Sequence, residues 1–295
     1  MSDRTAIEAF TQGFEPYSDF HFSTLFFYNT GSNTHWCWLN GNLVLRLRDG
    51  FGPGTYLTFL GVQKPADTAT ALIDYATQMN YTPTLCRVPD VTAQAIERET
   101  DRISVIEDRN GFDYVYRVEP LTRLEGHTFK AVRNKIRHVS QCHPTQRLAQ
   151  LDLSCPTELQ RVRSTVAAWW PPEQRTATLE AYCSALGKCL FHASAFNLVA
   201  LGLIADGALY GFHIAEPIRG SWFMAHFAAS DPHRRGTSTF LVHQMAHHAL
   251  KLDTQHLNYQ EDMGLPGLRK YKTEWSPCSF LRKFSISPVK DSASC

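Results

Sequence analysis

The chain has 295 residues, of which 43% are hydrophobic and 19% charged, and its formal net charge is +1. That supplies enough apolar side chain for one large domain or two of ordinary size, and it excludes a long disordered chain. A near-neutral balance also excludes a global attraction to nucleic acid, so any such attraction has to come from local patches.

In chain order, Phe20 to Tyr28, Trp36 to Leu39, Leu43 to Arg48 and Thr55 to Leu60 read as short strands. Turn signals separate them at Asn29-Thr30-Gly31, Asn40-Gly41 and Asp49 to Gly54. A helix is predicted over Thr68 to Asn80, with apolar residues at 72, 73, 76 and 79, and a second over Val91 to Glu99. Ile103 to Asp108 and Tyr114 to Val118 read as strands. The second half is built alike, with helices over Thr128 to Cys142, Pro156 to Trp170 and Thr176 to Leu186, and Pro171-Pro172 stops the middle one. Strands follow at Ala193 to Ile204, Ala208 to Ala215 and Ser221 to Ala228, then a helix over Ser238 to Lys251 and a strand at 256–260. Turns at Asp206-Gly207 and Arg219-Gly220 predict an antiparallel meander. These readings give an α+β protein of two domains, 1–118 and 119–290, with a tail at 291–295.

Eight scattered cysteines (Cys37, Cys86, Cys142, Cys155, Cys183, Cys189, Cys278, Cys295) contain no Cys-x-x-Cys pair, and no leader precedes them. They read as free thiols of a cytoplasmic protein. Apolar runs such as Leu198 to Ile204 fall far short of the ~20 residues that cross a bilayer.

Four stretches could carry chemistry. The helix at 128–142 has Phe129, Val132, Ile136 and Val139 on one side and His127, Lys130, Arg133, Asn134, Arg137 and His138 on the other. From Arg123 to Arg147 there are six Lys or Arg and one acid, Glu125. That local basicity suits phosphate recognition, with an ordinary solvated helix face as the plain alternative. Next, Asp231-Pro-His-Arg-Arg-Gly-Thr-Ser238 joins a strand to a helix, and Arg234, Arg235 and the helix N-terminus suit an anion. The plain alternative is a helix capped by Ser238. His243-Gln-Met-Ala-His247 has zinc-helix spacing, but Gln stands where a general base is needed. No third ligand is evident, and Leu241, Met245, His248 and Leu252 form a predicted buried stripe that turns His243 and His247 outward, so no metal is expected. Trp169-Trp170 reads as core at a helix stop.

The most informative segment is Asn258 to Pro277, with Glu261, Asp262, Arg269, Lys270, Lys272, Tyr271 and Trp275 packed around glycines. Glycines let backbone approach a ligand, and the ionisable groups suit proton transfer or an oxyanion. An internal salt-bridge network around a tight turn fits the same residues equally well.

Arg109 to Tyr116, the basic helix with Arg133-Asn134, and Glu261-Asp262-Met-Gly264-Leu-Pro-Gly267-Leu268-Arg269-Lys-Tyr-Lys272 before Pro277 together resemble the soluble catalytic domain of lysyl-phosphatidylglycerol synthases. The resemblance covers about residues 20 to 285. It implies two tandem acetyltransferase-like (GNAT) folds, related to Fem transferases, each a mixed, largely antiparallel sheet flanked by helices. It implies transfer of an aminoacyl group from charged tRNA to an amine or hydroxyl. By position, Glu261, Asp262, Arg269 and Lys272 would be the catalytic cluster and Lys130, Arg133 and Arg137 would meet tRNA, joined by Arg234 and Arg235. Asp262 would hold the donor's ammonium or assist deprotonation. Lys272 and amides near Phe227 to Ser230 would stabilise the oxyanion.

The ester is already activated, so no metal or cofactor is expected. The chain lacks the membrane region of the lipid enzymes, so the expected acceptor is a small soluble molecule, in specialised metabolism, with no integral membrane contact. An acyl-coenzyme A-dependent N-acyltransferase and a non-catalytic RNA- or ligand-binding module are the alternatives.

Overall fold

The structure, a computed structural model, describes residues 3–30, 34–48, 54–142 and 145–289. Two compact units form, one from Met1–Asp113 with Leu281–Cys295 and the other from Tyr114–Phe280.

The first unit holds α1 (Arg4–Thr11), α2 (Phe22–Tyr28), β1 (His35–Leu39), β2 (Asn42–Arg48), β3 (Thr55–Leu60), α3 (Pro65–Gln78), β4 (Leu85–Pro89), α4 (Asp90–Glu99) and β5 (Ile103–Glu107). The second contains β6 (Asp113–Arg117), α5 (Val118–Arg123), α6 (Lys130–Cys142), β7 (Arg147–Gln150), α7 (Pro156–Trp169), α8 (Ala177–Phe191), β8 (Val199–Ala205), β9 (Ala208–Ile218) and β10 (Trp222–Ser230). It continues with α9 (Thr237–Lys251), β11 (His256–Asn258), α10 (Pro266–Thr273) and β12 (Ser279–Leu281), whereas the last strand, β13 (Lys283–Pro288), belongs to the first unit.

The first sheet runs β1-β2-β3-β4-β13-β5, the second β12-β6-β11-β10-β9-β8-β7. The two share a plan. An antiparallel pair leads through a helix into a parallel neighbour: β2, β3, α3, β4 in the first unit and β9, β10, α9, β11 in the second. In each sheet the next position belongs to a strand distant in sequence, β13 beside β4 and β6 beside β11. The repeat therefore lies in topology, where sequence shows none.

Local chemistry explains the tight corners. Asn40 and Gly41 have φ of 52° and 79°, and Asp206 and Gly207 have 52° and 78°. Positive φ at both central residues matches a two-residue hairpin to the strand twist, and Asn-Gly and Asp-Gly accept it cheaply. Val44, Leu57, Phe59, Leu72, Ile73, Leu85, Ile96 and Ile286 fill the first core. Val132, Val139, Leu201, Phe223, Leu241, Met245, Leu257 and Trp275 fill the second. Each such side chain contributes roughly 1.5–3 kcal/mol on burial.

Several expectations change. Phe20 to Tyr28 is not a strand but a short 3-10 turn followed by α2, with Phe22, Leu25 and Phe27 buried. Ala193–Ala195 is a 3-10 turn ahead of β8, and α8 continues to Phe191. Residues 281–289 do not extend the second domain: β13 pairs with β4 and β5 of the first sheet. On the other side, Tyr114 to Arg117 pairs into the second sheet instead of closing the first domain. The tail at 291–295 and most of the turn at 49–54 lie outside the described residues.

A buried charge network holds β13 in the first unit. Lys283, with no solvent exposure, pairs with Asp19 and sits 2.7 Å from Asp113 Oδ1 and 3.2 Å from Ser18 Oγ. Arg87 donates to Asp19 at 2.9 Å. Two carboxylates and two cations balance, which is what deep burial of charge requires. Burial alone would raise the Asp19 pKa, but Lys283 and Arg87 outweigh it and hold the carboxyl at about 2.

Candidate functional site

The segment after β11 closes around two side chains. Asp262, fully buried, accepts four hydrogen bonds. Tyr114 Oη (2.6 Å) and Arg269 Nε (2.8 Å) reach Oδ2, and Arg269 Nη2 (2.8 Å) and the Gly264 N–H (2.9 Å) reach Oδ1. Burial would raise the Asp262 pKa, but the Arg269 guanidinium, the Tyr114 hydroxyl and the Gly264 amide hold it at about 2. Four acceptor sites are about what a carboxylate has, so this group is committed to shaping the loop.

Lys272 plays the complementary part. Its ammonium donates to three consecutive carbonyls, Tyr259 at 2.6 Å, Gln260 at 3.1 Å and Glu261 at 2.6 Å. Successive carbonyls in a strand point opposite ways. They converge here because Gln260 has φ of 57°, which reverses the chain. The rings of Tyr114 and Tyr259 flank the ammonium at 5.6 and 5.1 Å. Tyr116 Oη donates to the Lys272 carbonyl at 2.8 Å. The 114–116 motif and the closing motif, far apart in sequence, thus support each other. Glu261 is half-buried in the same loop. The residues expected as a catalytic cluster are together, and the hydrogen bonds of Asp262 and Lys272 tie both side chains to this loop.

Beside this loop the second sheet opens. β11 pairs with β10 in parallel only over Trp222–Met224, whereas β10 runs on to Ser230. Gln260 Nε2 reaches across to the Ala225 carbonyl at 2.6 Å. The stretch from Phe227 to Ser230 therefore lies beyond the last β11 pair, where a substrate carbonyl could meet backbone amides. His226, which sequence reading overlooked, comes immediately before that stretch. It sits 3.2 Å from Glu216 on β9, in a pair that is almost completely buried. A histidine and a glutamate in otherwise apolar strands were the available signal.

The basic helix α6 keeps its predicted two faces, with Phe129, Val132 and Val139 buried and Ile136 packed against them. Lys130 and Arg137 are exposed. Arg133 is instead used locally, donating to the Leu124 carbonyl and, at 2.7 Å, to that of Gly126. Two contacts fix α6 in the site: Lys135 pairs with Glu274 just past α10, and Gly236 at the N-terminus of α9 lies against it. Gly236 has φ of 89°, and a Cβ there would come within 2.8 Å of Val139 and 2.9 Å of the Lys135 carbonyl. Only glycine fits that approach. Arg235 is exposed in this loop, and Arg234 stacks 4.0 Å over Tyr210. Lys130, Arg137, Arg234 and Arg235 thus come from two elements that touch.

The N-cap of α9 is Gly236, not Ser238, whose hydroxyl bonds Ser230 Oγ at 2.7 Å. The buried stripe of α9 is Leu241, Val242, Met245, Ala246 and Ala249, while Leu252 is exposed. His243 meets the Thr122 carbonyl at 3.1 Å and His247 at 3.2 Å. Trp169 stacks parallel to Phe212 at 6.5 Å, and Trp170 packs on Tyr182. Cys37, Cys86, Cys155, Cys183, Cys189 and Cys278 are free thiols. No helix among the described residues is long and apolar enough to cross a membrane.

Comparison with known proteins agrees with this geometry. The profile of the family "Phosphatidylglycerol lysyltransferase, C-terminal" matches residues 13–287. A conserved protein of unknown function from Bacteroides thetaiotaomicron superposes with a TM-score of 0.82 at 23% identity, over 98% of this chain and 97% of that one. L-PGS from Bacillus licheniformis superposes with a TM-score of 0.66 at 11% identity, covering 99% and 93%. A tandem GNAT protein from the clavulanic acid biosynthesis pathway gives 0.54 at 13% identity, covering 89% and 86%. No curated protein matches. The fold is a pair of GNAT-like α+β units, and the chain belongs to the phosphatidylglycerol lysyltransferase C-terminal family, a family of aminoacyltransferases.

Proposed function

We propose that this chain moves an aminoacyl group from charged tRNA to the amine or hydroxyl of a small soluble acceptor in the cytoplasm, as a step of specialised metabolism. The observation that carries the reading is the contact between α6 and the α9 N-terminus at Gly236. It joins Lys130 and Arg137 to the Arg234-Arg235 loop, and the exposed cations Lys130, Arg137 and Arg235 suit the phosphates of an acceptor stem. The open edge of β10 then receives the ester carbonyl, and its amides face the oxyanion. The loop that Asp262 and Lys272 hold forms the wall beside it. Since the ester is activated, alignment alone removes several kcal/mol of the barrier and neither metal nor cofactor is called for.

An acyl-coenzyme A donor would place its pyrophosphate at the same α9 N-terminus. The α6 backbone at Lys135 is packed on that turn, which supports the tRNA reading over this one. A thermal-shift panel separates the two. Uncharged tRNA should raise the melting temperature at low salt while coenzyme A leaves it unmoved; stabilisation by coenzyme A alone would reverse the choice.

A further inference from the structure

His226 is the residue by which β10 outruns its neighbour. The register with β9 goes from Ala225 opposite Ala215 to Phe227 opposite Ile214, so His226 is the extra residue of a β-bulge. Bulges re-aim a side chain and recur beside active sites. This one falls two residues past Met224, the last residue of β10 that pairs with β11. The bulge therefore places residue 226 where the parallel strands part, next in the chain to the backbone assigned above to the ester carbonyl.

Its partner is a carboxylate. Glu216 Oε1 lies 3.2 Å from His226 Nε2, and the two side chains are 5% and 0% exposed. A pair this deep costs desolvation that a packed apolar pair would not. In return, a carboxylate on one ring nitrogen fixes the tautomer and stabilises an imidazolium when one forms. The titratable neighbours within this unit do not compete for the role. His213 on β9 is buried and held neutral, its pKa pushed down to about 4 by burial, with His226 adding to the shift. Burial and the Glu216 charge push the Cys189 thiol on α8 up, so it stays protonated. Tyr182 on α8 donates its hydroxyl to the Ala228 carbonyl at 3.1 Å.

We infer that His226, oriented by Glu216, is the proton-transfer group of the reaction. This rests on the aminoacyl-transfer reading above. As the acceptor's nitrogen or oxygen bonds to the ester carbonyl carbon, its proton passes to the imidazole. When the tetrahedral intermediate collapses, the bond from that carbon to the ribose oxygen breaks with its electron pair on oxygen. That oxygen then takes the proton back from the imidazolium. No oxidant, metal or further reactant enters.

The test compares His226→Ala, His226→Gln and Glu216→Gln with the wild type, using charged tRNA and whichever acceptor amine supports wild-type turnover. A positioned general base supplies roughly 10²–10⁴-fold, so both His226 variants should lose that much in kcat. KM for charged tRNA should change less than about threefold, because the loss is confined to the transition state. Added imidazole should restore turnover to His226→Ala saturably. Turnover kept by either folded His226 variant, or lost from His226→Ala without imidazole rescue at an unchanged melting temperature, overturns the inference. If His226→Ala does not fold, the kcat and KM of His226→Gln decide.

A second arm needs no activity. Long-range 1H–15N spectra of the full chain should show the His226 proton on Nε2, facing Glu216, and mixed tautomers in Glu216→Gln. A spectrum unaltered by Glu216→Gln overturns the pairing. A wild type that consumes no charged tRNA refutes the donor assignment alone, and the spectra still judge the pair.

Discussion

Arg269 grips Asp262 through two parallel hydrogen bonds of 2.8 Å each, one to each carboxylate oxygen. The carboxylate is fully buried, whereas the arginine side chain is 38% exposed, so the arginine acts as a lid on the loop from the solvent side. Lysine cannot reproduce the planar fork. Arg269→Lys should therefore loosen the loop, costing about 1 kcal/mol of stability in urea unfolding. Asp262→Ala strands the Tyr114 hydroxyl and the Gly264 amide together with Arg269 and should cost about 3 kcal/mol. Equal losses for the two would show that the pair is not organised this way.

Lys272 distinguishes a positioning role from a direct one. Lys272→Met keeps the stem but leaves three carbonyls without their donor, at a cost of about 2–4 kcal/mol. Activity and stability should fall together, measured by turnover and by thermal unfolding of the same preparation. A hundredfold loss of turnover at unchanged stability would instead put the ammonium on the substrate.

The pH response follows from Asp19 and Asp262. Both carboxyls are held at about 2 against an ordinary value of 3.8. A depressed folded pKa means stability fully present above about pH 4 and lost as pH falls toward 2. For the buried Asp19 that amounts to about 2 kcal/mol. Urea midpoints should hold from pH 7 to 5 and drop below pH 4. In Lys283→Met, two carboxylates lose their shared cation, so the protein should be less stable at neutral pH by about 3–5 kcal/mol. Its acid sensitivity should also be blunted. A Lys283→Met variant as stable as the wild type would remove the network from the account.

Much of this was legible in the residues. The Asn40-Gly41 and Asp206-Gly207 turns and the two-faced α6 read correctly because local rules govern them: positive φ and helical period. What escaped depends on distant partners. Phe22 to Tyr28 has aromatic side chains suited to a strand, but burial of Phe22, Leu25 and Phe27 selects a helix. The return of β13 to the first sheet is hidden in the sequence because Lys283 is buried only once Asp19 and Asp113 are brought to it. His226 is invisible as a special residue because a bulge exists only once β9 supplies the register. The plain and the catalytic readings of Asp262 and Lys272 use the same residue types, so the sequence alone does not separate them.

The α6 face makes a quantitative prediction about binding. Lys130→Glu and Arg137→Glu reverse exposed charges that make no part of the core. Removing one phosphate contact should flatten the slope of log K against log salt by about 1, with weaker tRNA binding at every salt concentration. Arg133→Ala should act differently, destabilising the turn after α5 because its guanidinium caps the Leu124 and Gly126 carbonyls. Filter binding over a salt series reads the first effect and thermal unfolding the second. Unchanged slopes in both charge-reversal variants would move the polynucleotide off this helix.

The most direct measurement is transfer itself. The purified chain is mixed with a pool of charged tRNAs and a panel of small amines and alcohols, and each amino acid is followed from tRNA into product. At least one aminoacyl-tRNA should be consumed with formation of an amide or ester, and the Lys130→Glu, Arg137→Glu double variant should be slower at low substrate concentration. Charged tRNA decaying at the same rate with and without the protein, while acyl-coenzyme A is turned over, would contradict transfer from tRNA.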